Sequence, residues 1–274
     1  MKSAILSLLV FNICFFCING VEMISVTNNF SSYPSFCQRV ASDGFSFQDF
    51  RRNRIYRGEV ETVDYSLGLI LAHEIREKYS NLLCYCRKIC IEDEVGYPLS
   101  YTYSHIGRIS PTVLRYIKVV GDLQREFGDL KNFNIVEIGG GFGGQCKIIH
   151  DIGGFKHYSI IDIPECIDLM KKYLSLFSIK EVECVNYKKI TAPQKCDLLI
   201  SNYAFSEIDR EGQLFYIDMI ISFARKGYMF YNNLSQVNHF SLREFVNILE
   251  SKQKKVKVLH HSSSGIGDVV VWDS

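Results

Sequence analysis

The sequence has no surplus of either charge. It holds 31 Lys and Arg against 30 Asp and Glu in 274 residues, and setting aside Lys2, the only charge among the first twenty, leaves 30 against 30. A nucleic-acid binder normally shows a basic excess, so no nucleic-acid partner is expected. The local basic groups Arg51, Arg52, Arg54, Arg57 and Lys252, Lys254, Lys255, Lys257 read as solvated surface charge rather than phosphate contacts. No apolar run reaches the ~20 residues of a spanning helix. Repeats and low-complexity stretches are missing too. With 47% hydrophobic and 22% charged residues, disorder is excluded and one well-buried core with a smaller attachment is expected. Zinc-like His/Cys spacing is also lacking. Cys84, Cys86 and Cys90 cluster, but on an expected helix where only 86 and 90 share a face, so no metal is expected.

What is present begins with Lys2 and an apolar stretch from Ala4 to Ile18, broken only by Ser7 and Asn12 and followed by Gly20. Residues 1–20 have the layout of a signal peptide or membrane-anchor-like leader, without an A-x-A cleavage pattern. With no Lys or Arg until Arg39, the positive-inside rule would carry the rest of the chain across a membrane. The cysteines point the other way. Ten are present, and Cys146, Cys166, Cys184 and Cys196 fall in or beside expected core elements, where a free thiol acts as a small hydrophobe in a reducing compartment. Secretory or membrane-associated and cytoplasmic locations both stay open.

Residues 21–110 read as a helical N-terminal or cap region. Apolar residues recur at helical spacing from Val60 to Ile89, as one long helix or two joined near Gly68. A Tyr-rich loop, Tyr97 to Ile109, follows, and Ser110-Pro111 supplies an N-cap and first-turn proline for a helix to about 127. From 111 to 274 short apolar runs alternate with helical ones. Strands are expected at 133–138, 157–161, 182–185, 196–201 and 227–231, with helices at 143–152, 164–177 and 207–225 between them. A helix at 241–251 and strands at 255–260 and 268–273 close the chain. The segment between those strands, 261–267, suits a hairpin and not a helical crossover, so the last strand should run antiparallel.

The chemistry centres on Ile135-Val136-Glu137-Ile138-Gly139-Gly140-Gly141-Phe142-Gly143-Gly144-Gln145. A buried strand runs into glycines that let a ligand approach the backbone, and a helix then begins with its N–H groups toward that ligand. Gly139-x-Gly141-x-x-Gly144 also satisfies the dinucleotide fingerprint, a weak signal by itself. Asp162 ends the second strand, where a carboxylate can accept both hydroxyl hydrogens of a ribose, so an adenosine ligand is implied. Its alternative role is to cap the helix beginning at Pro164. Three features favour S-adenosylmethionine (SAM) over a nicotinamide cofactor. Glu137 stands where a carboxylate can face an ammonium, the remaining length leaves no second substrate domain, and an antiparallel hairpin closes the chain. Together they describe an α/β fold with the Rossmann-like seven-stranded sheet of class I methyltransferases.

Residues 135–145, the run Ile160-Ile161-Asp162-Ile163-Pro164-Glu165, and Ile200-Ser201-Asn202-Tyr203-Ala204-Phe205-Ser206-Glu207 resemble the sugar O-methyltransferase family over roughly residues 105–235. The resemblance implies SAM as donor and a sugar or glycoconjugate hydroxyl as acceptor. Cofactor contacts are then expected from Glu137, Gly139, Gly141, Gly143, Gln145, Asp162, Ile163 and Asn202. The acceptor hydroxyl needs a base to take its proton. Glu207 is the first candidate, with a helix-capping role in Ser206-Glu207-Ile208-Asp209 as its rival reading. His105 in the Tyr-rich loop is the second, and Tyr203, Asn232 and Asn233 are placed as positioning groups. Ser201-Asn202-Tyr203-Ala204 lacks the Pro-Pro-aromatic run of enzymes that methylate base amines, which argues against base N-methylation. An NAD-linked oxidoreductase and an exported, non-catalytic methyltransferase-like binding module are the alternatives.

Overall fold

A computed structural model describes residues 12–18, 21–27, 32–232, 238–260 and 267–274. It opens with an antiparallel pair, β1 (Asn12–Ile18) and β2 (Val21–Thr27). Backbone pairing therefore crosses from the expected leader into the chain beyond it; residues 1–11 and 19–20 of that leader lie outside the described residues. No described helix is long and apolar enough to cross a membrane. Five helices follow: α1 (Ser32–Ser42), α2 (Gly44–Phe47), α3 (Arg54–Glu59), α4 (Tyr65–Lys78) and α5 (Leu83–Glu92). The helical stretch breaks at Tyr79, not at Gly68. Gly68 sits in the first turn of α4, where a Cβ would meet the Tyr103 hydroxyl at 2.2 Å, so the glycine serves close packing and not a bend. The Tyr-rich stretch, read as a loop, contains a short ribbon, β3 (Tyr101–Tyr103) paired with β4 (Gly107–Ile109).

The alternating half begins with α6 (Pro111–Phe127), where Ser110 caps the Val113 N–H and Pro111 occupies the first turn as its sequence required. Next come β5 (Asn134–Ile138), α7 (Gly144–Ile152), β6 (His157–Asp162), α8 (Pro164–Ser175), β7 (Val182–Asn186) and β8 (Cys196–Asn202). Then α9 (Arg210–Met219), β9 (Ala224–Tyr231), α10 (Leu242–Ser251), β10 (Lys255–His260) and β11 (Asp268–Asp273) complete the chain. The sheet order is β10-β11-β9-β8-β5-β6-β7, with β5 to β9 parallel and β11 antiparallel to both neighbours. This is the Rossmann-like seven-stranded sheet of the class I methyltransferase fold. Gly227 admits Trp272 on the neighbouring strand, because a Cβ there would lie 2.0 Å from the indole.

Side chains alternate across the strands, so the sheet feeds two cores. Ile135, Tyr158 and Ile160 join helices α6, α7 and α8 together with the N-terminal helices in one cluster that reaches from Tyr33 to Val271. Val136, Ile138 and Ile161 join α9 and α10 in the other. The N-terminal region thus shares its core with the sheet. Cys37, Cys86, Cys146, Cys166 and Cys196 are buried free thiols.

Arg51 is not surface charge. It is fully buried and donates to Glu61, to the Asp93 carboxylate at 2.7 Å and to the Ser110 hydroxyl at 2.9 Å, while its guanidinium lies 4.6 Å from the Phe142 ring centroid. A sequence patch of arginines gives no sign that one of them is desolvated. Replacing Arg51 by Met leaves Glu61 and Asp93 without their buried partner and should cost about 3–5 kcal/mol in urea unfolding. A loss below about 1 kcal/mol, the scale of an exposed ion pair, would reassign Arg51 to the surface.

Candidate active site

The glycine loop leaves β5 at the carboxyl edge of the parallel strands. Gly139 and Gly141 take φ of +78° and +58°, where side chains are disfavoured. Space is closed as well: a Cβ on Gly139 would lie 2.1 Å from Ala204, and one on Gly141 3.2 Å from Val60. Gly143, at φ +90°, occupies the N-cap of α7 without a side-chain cap, so no side-chain acceptor takes up the first N–H groups of the helix, while Leu174 packs 3.0 Å from where its Cβ would stand.

Around this loop the strand ends supply polar groups. Asp162 accepts from the Gly140 N–H at 2.9 Å and from the Ile163 N–H at 2.7 Å. Burial raises its carboxyl to about 6 against the pull of these N–H groups. It does not cap α8, whose N-cap is Ile163 without a side-chain bond. Glu137 is buried on the same sheet face as Tyr158, whose hydroxyl donates to it at 2.9 Å, and desolvation pushes it up to about 8. Gln145 donates to the Tyr116 carbonyl at 3.3 Å and accepts from Asn202 at 3.4 Å, so it bridges α6 and β8. The Asn202 Oδ1 is left buried without a partner. In register beside Asp162 stands Asn186, at the end of β7.

Beyond β8 the backbone turns through Tyr203, a non-glycine residue at φ +75° whose ring packs on Phe230 with centroids 4.3 Å apart. Such strain persists where packing holds it and marks candidate functional positions. Ala204–Glu207 form one 3₁₀ turn, and α9 starts only at Arg210, capped by Asp209. The capping-box reading of Ser206 and Glu207 is therefore wrong: the helix begins three residues later than the motif suggested. Glu207 instead accepts from Asn232 Nδ2 at 3.0 Å. Burial raises its carboxyl to about 7, with Asn232 and Arg115 opposing.

Arg115 was not foreseen. It extends from α6 to the Val60 carbonyl at 3.3 Å and lies 5.2 Å from the Tyr203 ring centroid, and its Nε is buried without a partner. Glu59, at the end of α3, is half-buried and pushed up to about 8, first by burial and then by the charge of Glu207. Arg115 shares its helix stripe with Thr112, Lys118 and Asp122, so nothing in the sequence distinguished it, nor Glu59 or Val60. Glu137, Gly139, Gly141, Gly143, Gln145, Asp162, Ile163, Asn202, Tyr203 and Glu207 are brought to one edge of the sheet. His105 is not among them. It is exposed at the tip of the β3–β4 ribbon, whose Ser104 carbonyl accepts from Arg76 in the last turn of α4, so the ribbon is tied to the cap and not to the strand ends. Asn233 lies outside the described residues.

No family model matches the chain, and no curated protein matches it. Among solved structures it is similar to a SAM-dependent methyltransferase from Aquifex aeolicus, at 18% identity over 55% of this chain and 87% of the other, with a TM-score of 0.44. It is also similar to magnesium protoporphyrin IX methyltransferase from Synechocystis with bound SAM, at 13% identity over 77% and 98% of the two chains and a TM-score of 0.48. An O-methyltransferase family 2 protein from Planctomyces limnophilus in complex with apigenin matches at 12% over 52% and 50%, with a TM-score of 0.41.

Because Glu137 is held at about 8 in the fold against an ordinary 4.5, its contribution favours folding at low pH and declines as pH rises from about 4.5 to about 8. Glu137→Gln should therefore raise the melting temperature of the ligand-free protein at pH 8.5 and change it little at pH 4. Equal shifts at both pH values would show that Glu137 is not titrating in that window.

Proposed function

We propose that the protein is a SAM-dependent O-methyltransferase acting on a hydroxyl of a sugar or glycoconjugate. The observation that carries this reading is Glu207, a carboxylate held by Asn232 at the carboxyl edge of the sheet, beside the glycine loop and with a proton affinity near neutrality. The donor fits the residues around it. Asp162 suits the ribose hydroxyls, the cradle of Gly139 to Gly143 suits the chain joining sugar to sulfur, and the orphaned Asn202 Oδ1 and Arg115 Nε suit an amino-acid ammonium and carboxylate. Bound SAM supplies a methyl group on a sulfonium, ready for in-line attack by oxygen.

The chain's own groups then have three tasks. Val60 and Ala204 close over the glycines and exclude water. Tyr203 and Arg115 set the wall on which the acceptor rests, and proximity of the two reactants lowers much of the barrier. Glu207 takes the hydroxyl proton as the oxygen attacks, a task that suits a base whose pKa lies near the working pH. The sugar acceptor is favoured by the resemblance of residues 135–145, 160–165 and 200–207, and by a chain without the basic excess that a polyanion would require.

Calorimetry with SAM, and with NAD as the contrast, tests the donor: SAM should bind and NAD should not, and absence of SAM binding by folded protein would sink the reading. Asp162→Ala should weaken SAM binding about tenfold or more, the scale of a lost hydrogen-bonded carboxylate. Glu207→Gln should leave SAM affinity near normal while lowering kcat about 10²–10⁴-fold. Unchanged turnover in Glu207→Gln would remove it as the base.

A further inference from the structure

A second concavity lies away from the strand ends. It encloses about 600 Å³ between the short helix α2, the residues just after it, the turn that follows α5 and strand β4, and Phe45, Gln48, Asp49, Glu94, Tyr97 and Arg108 line it. That volume falls within the ~300–1,000 Å³ of small-molecule sites. None of the residues gathered at the active site borders it. Both rings are held out of the core by their backbone. Asp43 caps α2 by accepting from the Phe45 and Ser46 N–H groups at 3.0 Å, and Phe45 is left 81% exposed. Tyr97 takes φ +50°, a left-handed conformation uncommon for a residue with a side chain, and stays 54% exposed. The turn that carries it is fixed from two sides. The Tyr97 N–H donates to the Glu94 carbonyl at 2.9 Å, and the Arg51 N–H donates to the Gly96 carbonyl at 3.0 Å. The Arg51 guanidinium adds bonds to the Asp93 and Val95 carbonyls at 2.9 and 3.3 Å. Arg52 covers one face of the Tyr97 ring, 3.9 Å from its centroid, which leaves the other face to a ligand. Among the described residues, the side chains of Gln48, Asp49, Glu94 and Arg108 have no hydrogen-bond or ion-pair partner.

We propose that this cavity is a saccharide subsite, which binds one uncharged hexopyranose unit and takes no part in methyl transfer. A pyranose combines an apolar C–H face with a rim of hydroxyl groups that both donate and accept, and the cavity holds partners for each. The C–H face suits Phe45 and the uncovered face of Tyr97, flat apolar rings with electron-rich faces. The hydroxyl rim suits the Asp49 and Glu94 carboxylates as acceptors, Arg108 as donor and Gln48 as either. Charge narrows the ligand further. The two carboxylates are balanced by Arg108 in the lining and by Arg52 behind the ring, so neither a phosphate nor an amine meets a net charge that would neutralise it. The strain at Tyr97 points the same way. A glycine would adopt that φ freely, and Tyr97 fills no core, so what a tyrosine adds to the turn is a ring at the cavity. No residue is shared with the methyl-transfer site, so the subsite stands or falls apart from that reading.

The test titrates the full, ¹⁵N-labelled chain with the methyl glycosides of glucose, mannose, galactose and N-acetylglucosamine at millimolar concentration, and measures SAM binding on the same samples by calorimetry. At least one glycoside should bind, with saturable shifts that include the Asp49 and Tyr97 amides. Phe45→Ala, Tyr97→Gly and Glu94→Gln should each weaken it about tenfold, through a lost ring face or a lost charged acceptor, while SAM affinity changes less than about twofold. Tyr97→Gly should keep Tm within about 3 °C, because relief of the left-handed strain offsets the lost contact with Arg52. If that variant is less stable than this, Phe45→Ala decides, since its side chain is almost wholly in solvent. Undiminished binding in Phe45→Ala and Glu94→Gln overturns the subsite, as does a folded protein that binds none of these glycosides. Binding that survives both substitutions and is lost in Glu207→Gln belongs to the methyl-transfer centre, and overturns the subsite while leaving the methyltransferase reading in place.

Discussion

The Arg51 guanidinium is removed from water by four separate stretches of chain at once: Glu61, the Asp93 carboxylate, the Ser110 hydroxyl and the face of Phe142. A buried charge tolerates no loose partner, because an unpaired ion in the interior costs several kcal/mol. These stretches are therefore fixed relative to one another. Asp93 also accepts from the Ser110 N–H at 2.6 Å, so the same cluster sets where α6 starts. From that start Arg115 is carried to the Val60 carbonyl, while Phe142 brings the glycine loop under the same cation. The cap residues over Gly141 and the loop beneath them hang from one ion.

A second buried cluster repeats the principle further along α6. Asp122 accepts from Lys118 at 2.6 Å, from the Tyr228 hydroxyl at 2.8 Å and from Tyr79, joining the junction between α4 and α5 to strand β9. Both clusters use charge to set register between elements that apolar packing alone would let slide. At the sheet edge the balance is reversed. Glu137, Glu207 and Glu59 are all displaced toward the neutral form by burial, so the ligand-free site is held at some cost in stability near neutral pH. Carboxyl groups kept in this way are suited to proton transfer and to ligand ammonium or hydroxyl groups, the usual exchange of stability for function.

Much of the fold was legible because its signals are local. The five parallel strands and the closing hairpin fall within a few residues of the apolar runs that predicted them, and Ser110-Pro111 starts α6 as such a pair must. The failures have physical causes as particular. Gly68 looked like a joint between helices because glycine weakens a helix, but here it makes room for Tyr103. Ser206-Glu207-Ile208-Asp209 looked like a capping box, yet Asp209 alone caps α9, since a 3₁₀ turn first carries the chain away from the strand. His105 was a candidate on its chemistry, and the ribbon that holds it turns toward α4.

By itself the sequence determined the alternation of strands and helices, the antiparallel last strand, the glycine loop and the carboxylate at the end of β6, because each depends on periodicity, turn chemistry or spacing within a few residues. Only the tertiary structure decided which charges are buried and which face each other. Arg51, one of four similar arginines, against Glu61 and Phe142, and Arg115 over Tyr203, are contacts between residues that stand from ten to about 90 positions apart. Such contacts leave no local pattern, since desolvation and coupling between charges depend on distance in space and not along the chain.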